Sequence, residues 1–193
     1  MLNVAPIELR EEEYMHRAGW AFLLAGLLAV AGTADSLSAQ QPAGLPADSI
    51  PAPEAVIREL YGLVSWEPGS PPNWDDVRAL FHEQAVIVLR TGRNATSVFD
   101  VDGFLNDFIT FADRPDVQQS GFSETILRIH TTVIRDMAQV WVRYAAHIPG
   151  SPRPPQEGVD FFLMIRQPDG WKVAAVTNEA LIPPEQLPAV LRD

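Results

Sequence analysis

The chain of 193 residues is 47% apolar and carries a formal net charge of −11, which leaves room for one domain with a real core plus a processed or tethering segment. The acidic balance, with no cluster of Lys and Arg among aromatics, argues against nucleic acid as a partner. With no cysteine in the sequence, disulfides, thiol nucleophiles and Cys-ligated zinc are excluded.

Residues 1–39 read as a secretory signal peptide. Ala18 to Gly32 is an unbroken run of apolar and small residues, preceded by His16 and Arg17 and followed by Ser36-Leu37-Ser38-Ala39, the order of a positive flank, a short apolar segment and a small-residue cleavage site. Met15 stands directly before the positive flank and is the alternative start; it would leave the acidic run Glu11-Glu12-Glu13 outside the signal. Cleavage gives a secreted or periplasmic protein. Retention of the apolar segment gives a membrane anchor, the one reading that brings the chain to a membrane, and its shortness favours cleavage. Residues 40–193 keep 12 basic and 20 acidic groups, so this part stays acidic at −8.

Gln40 to Pro53 holds four prolines and reads as an extended linker, residues 40–53, ahead of a domain over residues 54–193. In that domain Val56, Ile57, Leu60, Leu63 and Val64 form one helical stripe that Pro53 opens. Asn73 caps a second helix with Trp74, Val77, Leu80 and Phe81 on its apolar face. Ala85 to Arg90 is a short β-branched run that predicts a buried strand, and Thr96 to Phe99 a second one. Asp100 caps a third helix bearing Phe104, Leu105, Phe108, Phe111 and Ala112, which Pro115 is expected to stop.

The remainder predicts sheet. Phe122–Ile134 and Ala138–Ile148 flank a tight hairpin, and Gly158–Arg166 and Trp171–Asn178 flank a second across Gln167-Pro168-Asp169-Gly170. The expected fold class is therefore α+β, a mostly antiparallel sheet with about three helices on one face.

Three pieces in series, Asn73-Trp74-Asp75-Asp76-Val77-Arg78-Ala79-Leu80-Phe81 leading into Ala85-Val86, then Ala138-Gln139-Val140-Trp141-Val142, then Asp169-Gly170-Trp171-Lys172-Val173, make residues 54–180 similar to the nuclear transport factor 2-like (SnoaL-like) superfamily. Within it the chain looks most like an uncharacterised branch with Phe122 and Glu124 on the long strand and Trp171 and Glu179 near the end. The resemblance implies a cone-shaped, curved sheet around a pocket on its concave side, and a homodimer formed through the outer face. Enzymes of this fold such as ketosteroid isomerases and polyketide cyclases use a carboxylate base in the pocket; aligning Ala85 with the alanine that opens their strand puts Leu89 at that position, so the isomerase mechanism loses its base.

Alternation along Phe122–Ile134 sets Thr125, Leu127, Ile129, Thr131 and Val133 on one face, beside Val140, Val142 and Tyr144, and Glu124, Ile126, Arg128, His130, Thr132 and Ile134 on the other. The first face is expected to be concave, leaving Glu124, Arg128 and His130 outward near Trp141 and Arg143. That trio reads either as an acid, an anion anchor and a titratable base, or, with more weight, as a solvated or dimer-contacting stripe.

Asp160, alternating with Phe162 and Met164, and Tyr144, following two inward valines, are the preferred pocket residues. They read equally as a general acid or base beside a phenol and as a structural Tyr–Asp hydrogen bond. Trp74, Phe104, Phe108, Val142 and Phe162 are the candidate ligand-binding residues, with Trp74 and the helix-three phenylalanines weighted toward core. His82 and Glu83 have no second pair at ligand spacing, so neither metal nor cofactor is expected.

The functional expectation is an exported domain that binds a small hydrophobic molecule in an apolar pocket, as a homodimer through Trp141 and its face of the sheet. One alternative is a lyase, isomerase or hydrolase using Asp160 with Tyr144, and less centrally His130 or Glu124. A second is a structural or protein-interaction module with a filled core.

Overall fold

The computed structural model describes residues 52–92 and 94–192; the signal-peptide reading and most of the linker reading fall outside them. Helices α1 (Pro53–Leu63) and α2 (Trp74–Ala79) come first, then strands β1 (Phe81–Gly92) and β2 (Ala95–Phe99), helices α3 (Val101–Ala112) and α4 (Pro115–Ser120), and strands β3 (Ser123–Ile134), β4 (Met137–His147), β5 (Gln156–Gln167) and β6 (Gly170–Ala180). Two 3₁₀ turns, Pro184–Gln186 and Ala189–Leu191, follow.

The six strands form one sheet in the order β2-β1-β6-β5-β4-β3, antiparallel except where β1 runs parallel to β6. Helix α1 lies on its concave side, and its buried stripe of Val56, Ile57, Leu60, Tyr61 and Val64 packs with Val140, Val142, Phe162, Val173 and Val176 from the central strands. Burial of this stripe is what holds an 11-residue helix that is short for independent stability. Asn73 Oδ1 accepts from Asp75 N–H at 3.2 Å and Asp100 Oδ1 from Gly103 N–H at 2.7 Å, the two expected caps, each contributing about 1 kcal/mol.

The elements depart from the sequence reading at two places. Helix α2 stops before Leu80, because Lys172 Nζ donates to the Ala79 carbonyl at 2.8 Å and Val173 N–H donates to the Leu80 carbonyl at 2.9 Å; pairing with β6 draws Phe81 into the sheet opposite Val173. His82 and Glu83 are therefore strand residues rather than a helix C-terminus. Pro115 does not only end α3 but opens α4 at its first turn, where a missing N–H costs nothing.

Two irregularities set the inner face. In β3, Ile126 pairs with Tyr144 and Arg128 with Arg143, so Leu127 is an extra residue. In β6, Leu163 faces Ala175 and Met164 faces Val173, so Ala174 is extra. Each bulge reverses the in–out alternation beyond it. Glu124 and Ile126 thus join Ile129 on the inner face, while Thr125 and Leu127 are exposed. The expectation that Glu124 points outward with Arg128 and His130 is corrected on that ground.

On the outer face Trp141 packs with Val159, Ile182, Leu187 and Leu191, so the C-terminal turns cover part of the surface that the sequence reading assigned to a partner. His130 stacks edge-on against Trp141, centroids 6.1 Å apart. At the wide end of the sheet Trp66 bridges Phe122, with the Trp66 N–H donating to the Phe122 carbonyl at 2.8 Å and the Phe122 N–H to the Trp66 carbonyl at 3.0 Å.

The chain enters that bridge through Gly121 at φ +73°, where a β-carbon would overlap the Trp66 carbonyl. Both the backbone conformation and the close approach demand glycine. Gly121→Ala is expected to lower unfolding free energy by roughly 2 kcal/mol or more in urea denaturation; unchanged stability would mean that the bridge does not constrain the native chain.

Candidate functional site

A cavity of about 150 Å³ lies between the helices and the concave side of the sheet. Its apolar walls come from Leu60 and Val64 of α1, Phe81 and Leu89 of β1, Phe104 and Phe108 of α3, Phe162 of β5 and Val176 of β6. Its polar end gathers Tyr61, Glu124, Tyr144, Asp160 and Asn178, one from each of α1, β3, β4, β5 and β6.

The backbone dictates this convergence. Asp160 stands opposite Val142 on one side and Asn178 on the other, so one neighbour is a fully buried valine and the other an amide. Tyr144 lies opposite Gly158, and a β-carbon at Gly158 would sit 2.6 Å from the Tyr144 Oη; the missing side chain leaves the phenol its place. Ser65 fastens α1 to β3: its Oγ accepts from the Glu124 N–H at 2.9 Å and donates to the Tyr61 carbonyl at 2.9 Å. One hydroxyl thereby fixes the backbone of two cavity residues.

Tyr61 Oη donates to Asp160 Oδ2 at 2.6 Å, a short bond typical of a charge-assisted pair. Asn178 is within hydrogen-bonding reach of the Tyr144 phenol, and its Oδ1 accepts from the Arg90 N–H at 2.7 Å. No donor among the described residues hydrogen-bonds the Glu124 carboxyl, whose surroundings are protein and the Asp160 charge.

The electrostatics follow from burial. Desolvation pushes the Asp160 carboxyl up to about 7, against the Tyr61 hydrogen bond that favours its ionised form. Desolvation, and then the Asp160 charge, push Glu124 up to about 8. Burial and the two carboxyls also hold both phenols well above the ordinary tyrosine value. The two acids titrate as a coupled pair. Among the described residues no Lys, Arg or His lines the cavity; Arg90, on the neighbouring strand, is held by Glu179 at 3.0 Å.

Of the residues singled out from sequence, Asp160, Tyr144, Phe104, Phe108 and Phe162 line this cavity, and so does Glu124, by way of the β3 bulge. His130 lies on the opposite face of the sheet against Trp141 and has no access to it. Val142 is fully buried in the core, and Trp74 stands behind Phe108, rings 5.7 Å apart, so neither lines the site. Asp160 bonds Tyr61 rather than Tyr144. Tyr61 and Asn178 are cavity residues that sequence reasoning passed over. Tyr61 was signalled by its place four residues after Ile57 on the buried helical stripe, whereas Asn178 was hidden by the β6 bulge. Among the described residues no three His, Asp or Glu side chains are grouped to hold a metal ion.

No protein-family model matches the sequence, and no curated protein matches it. Solved structures do resemble the fold. An NTF2-like protein with a cystatin-like fold from Novosphingobium aromaticivorans superposes with a TM-score of 0.53 at 15% identity, covering 70% of this chain and 82% of that one. A putative scytalone dehydratase from the same organism gives 0.51 at 14% identity, over 72% and 88%. A putative calcium/calmodulin-dependent protein kinase type II association domain from Thiobacillus denitrificans gives 0.53 at 15%, over 69% and 98%. The chain has the nuclear transport factor 2-like fold.

Two raised carboxyls make stability depend on pH in a direction opposite to that of salt-bridged acids. The native state keeps protons that the unfolded chain has released, so the contribution is full below the ordinary carboxylate range, near 4, and is lost as pH rises through about 8. Urea unfolding at pH 5 and pH 8 is expected to show lower stability at pH 8, with a smaller difference in Glu124→Gln and Asp160→Asn. Equal pH dependence in wild type and both variants would contradict the assigned environments.

Proposed function

We propose that this domain binds a small, compact organic molecule in the cavity at the concave side of the sheet, with its polar group held by the Asp160, Glu124, Tyr61 and Tyr144 cluster. The observation that carries this reading is the coexistence of apolar walls and a convergent set of titratable groups in one cavity, the combination that marks ligand sites. A volume of about 150 Å³ bounds the ligand, since a cavity of roughly this size takes a benzene-sized guest.

A catalytic reading has its own support. Acids with pKa values near 7 and 8 are suited to exchange protons at neutral pH, and the likeness to a putative scytalone dehydratase directs attention to elimination and hydration chemistry. Leu89 on the cavity wall argues against the ketosteroid isomerase arrangement, because that side chain holds no proton. Asp160, hydrogen-bonded to Tyr61, is the acid or base in this reading and Glu124 its partner. A filled, purely structural core is disfavoured by the space left between these groups.

Export remains part of the proposal on the strength of the apolar segment Ala18–Gly32 and its flanks. A homodimer is proposed through the outer face of the sheet, where Phe161, Leu163 and Val86 remain exposed beside the part that Leu187 and Leu191 cover.

Native mass spectrometry of the protein purified from an exporting host tests ligand and assembly together. The expected spectrum shows a dimer carrying a small-molecule mass increment that collision releases. A bare monomer would count against both ligand retention and the paired outer face.

A further inference from the structure

We propose that the cavity selects a compact organic cation, a short-chain or one-ring ammonium, with its charge seated between Glu124 and Asp160 and its body against the aromatic walls. This rests on the reading of the cavity as a small-molecule site and adds the sign of the ligand's charge. The geometry points to it in three ways.

Firstly, both charged side chains of the lining are acidic, and they come from different strands, β3 and β5, into one space. Once the pair ionises, a carboxylate or phosphate ligand would add negative charge to a space whose described lining has no cation to receive it. Secondly, the Glu124 carboxyl faces the cavity with no donor from the described residues. Once ionised, an acceptor left in that state gains most from a ligand that donates, and an ammonium offers three donors with a matching charge. Thirdly, six rings line the space, those of Tyr61, Phe81, Phe104, Phe108, Tyr144 and Phe162, and ring faces attract cations.

The groups facing the carboxyl pair from each packed element are Tyr61 of α1, Tyr144 of β4 and Asn178 of β6. None carries positive charge, and Arg90 of β1 is engaged by Glu179. An ammonium therefore binds by displacing protons from the pair, and its affinity should rise with pH through the range in which the pair ionises, until the amine itself loses its proton near pH 10.

The test compares three probes of one ring and one polar group: benzylamine, benzyl alcohol and benzoate, titrated calorimetrically into the purified protein at pH 6 and pH 8.5. Benzylamine is expected to bind about tenfold more tightly than benzyl alcohol at pH 8.5, with proton release into the buffer and a weaker preference at pH 6, and benzoate is expected not to bind at pH 8.5. Glu124→Gln, and separately Asp160→Asn, should each cut the preference for benzylamine over benzyl alcohol, and cooperative urea unfolding of each variant certifies that it is folded.

Benzyl alcohol bound as tightly as benzylamine, or benzoate bound at all comparably, would overturn the charge assignment and leave the cavity reading standing. Failure of all three probes, in protein whose cooperative unfolding is intact, would overturn both.

Discussion

Two carboxyl groups share one cavity whose described lining carries no cation, and that constraint sets the electrostatics of the concave face. In water each acid would release its proton near pH 4. Packed among Val142, Phe162, Leu60 and the ring of Tyr61, the ionised forms lose solvation that the protein replaces only in part, with one phenol hydrogen bond to Asp160 and none to Glu124. Ionising one acid raises the cost of ionising the other. The pair is left holding protons at a pH where surface acids are bare, the property on which both proposed readings of the cavity rest.

The rest of the fold can be understood as the means of bringing these groups together. A flat, regular sheet would alternate Glu124 and Asn178 to the outside. The extra residues Leu127 and Ala174 turn each strand by one position and send both polar side chains inward, while Asp160 and Tyr144 sit on regular pairs of the central strands. Helix α1 supplies Tyr61, and Ser65, just past its end, hydrogen-bonds the backbone of both Tyr61 and Glu124. The aromatic cluster of Trp66, Trp74, Phe108, Phe111 and Phe122, with ring centroids 4.9 to 6.3 Å apart, packs around the Trp66–Phe122 bridge. Function is placed at irregularities, and stability around them.

Much of this architecture is legible in the residues. The stripe Val56–Ile57–Leu60–Val64, the caps Asn73 and Asp100, and the two hairpins around Asp136 and Asp169 each carry a local signal strong enough to survive tertiary context, and they suffice for the element order. Asp160 and Tyr144 are legible as inward residues because their strands run regularly between valines and phenylalanines. Glu124 and Asn178 are not, because a bulge leaves no mark in composition: Ile126-Leu127-Arg128 and Val173-Ala174-Ala175 look like ordinary strand, and the shift is set by pairing with a neighbouring strand. The early end of α2 is hidden for a similar reason, since Lys172 and Val173, far away in sequence, terminate it.

Carbon-13 NMR titration of the side-chain carboxyls of Glu124 and Asp160 reaches the carboxyl pair most directly. The expected curves have midpoints near 7 and 8, coupled so that replacing Asp160 with Asn lowers the Glu124 midpoint. Midpoints near 4 for both groups, unmoved by the replacement, would mean that water reaches the carboxyls freely and that the cavity does not hold them as a pair.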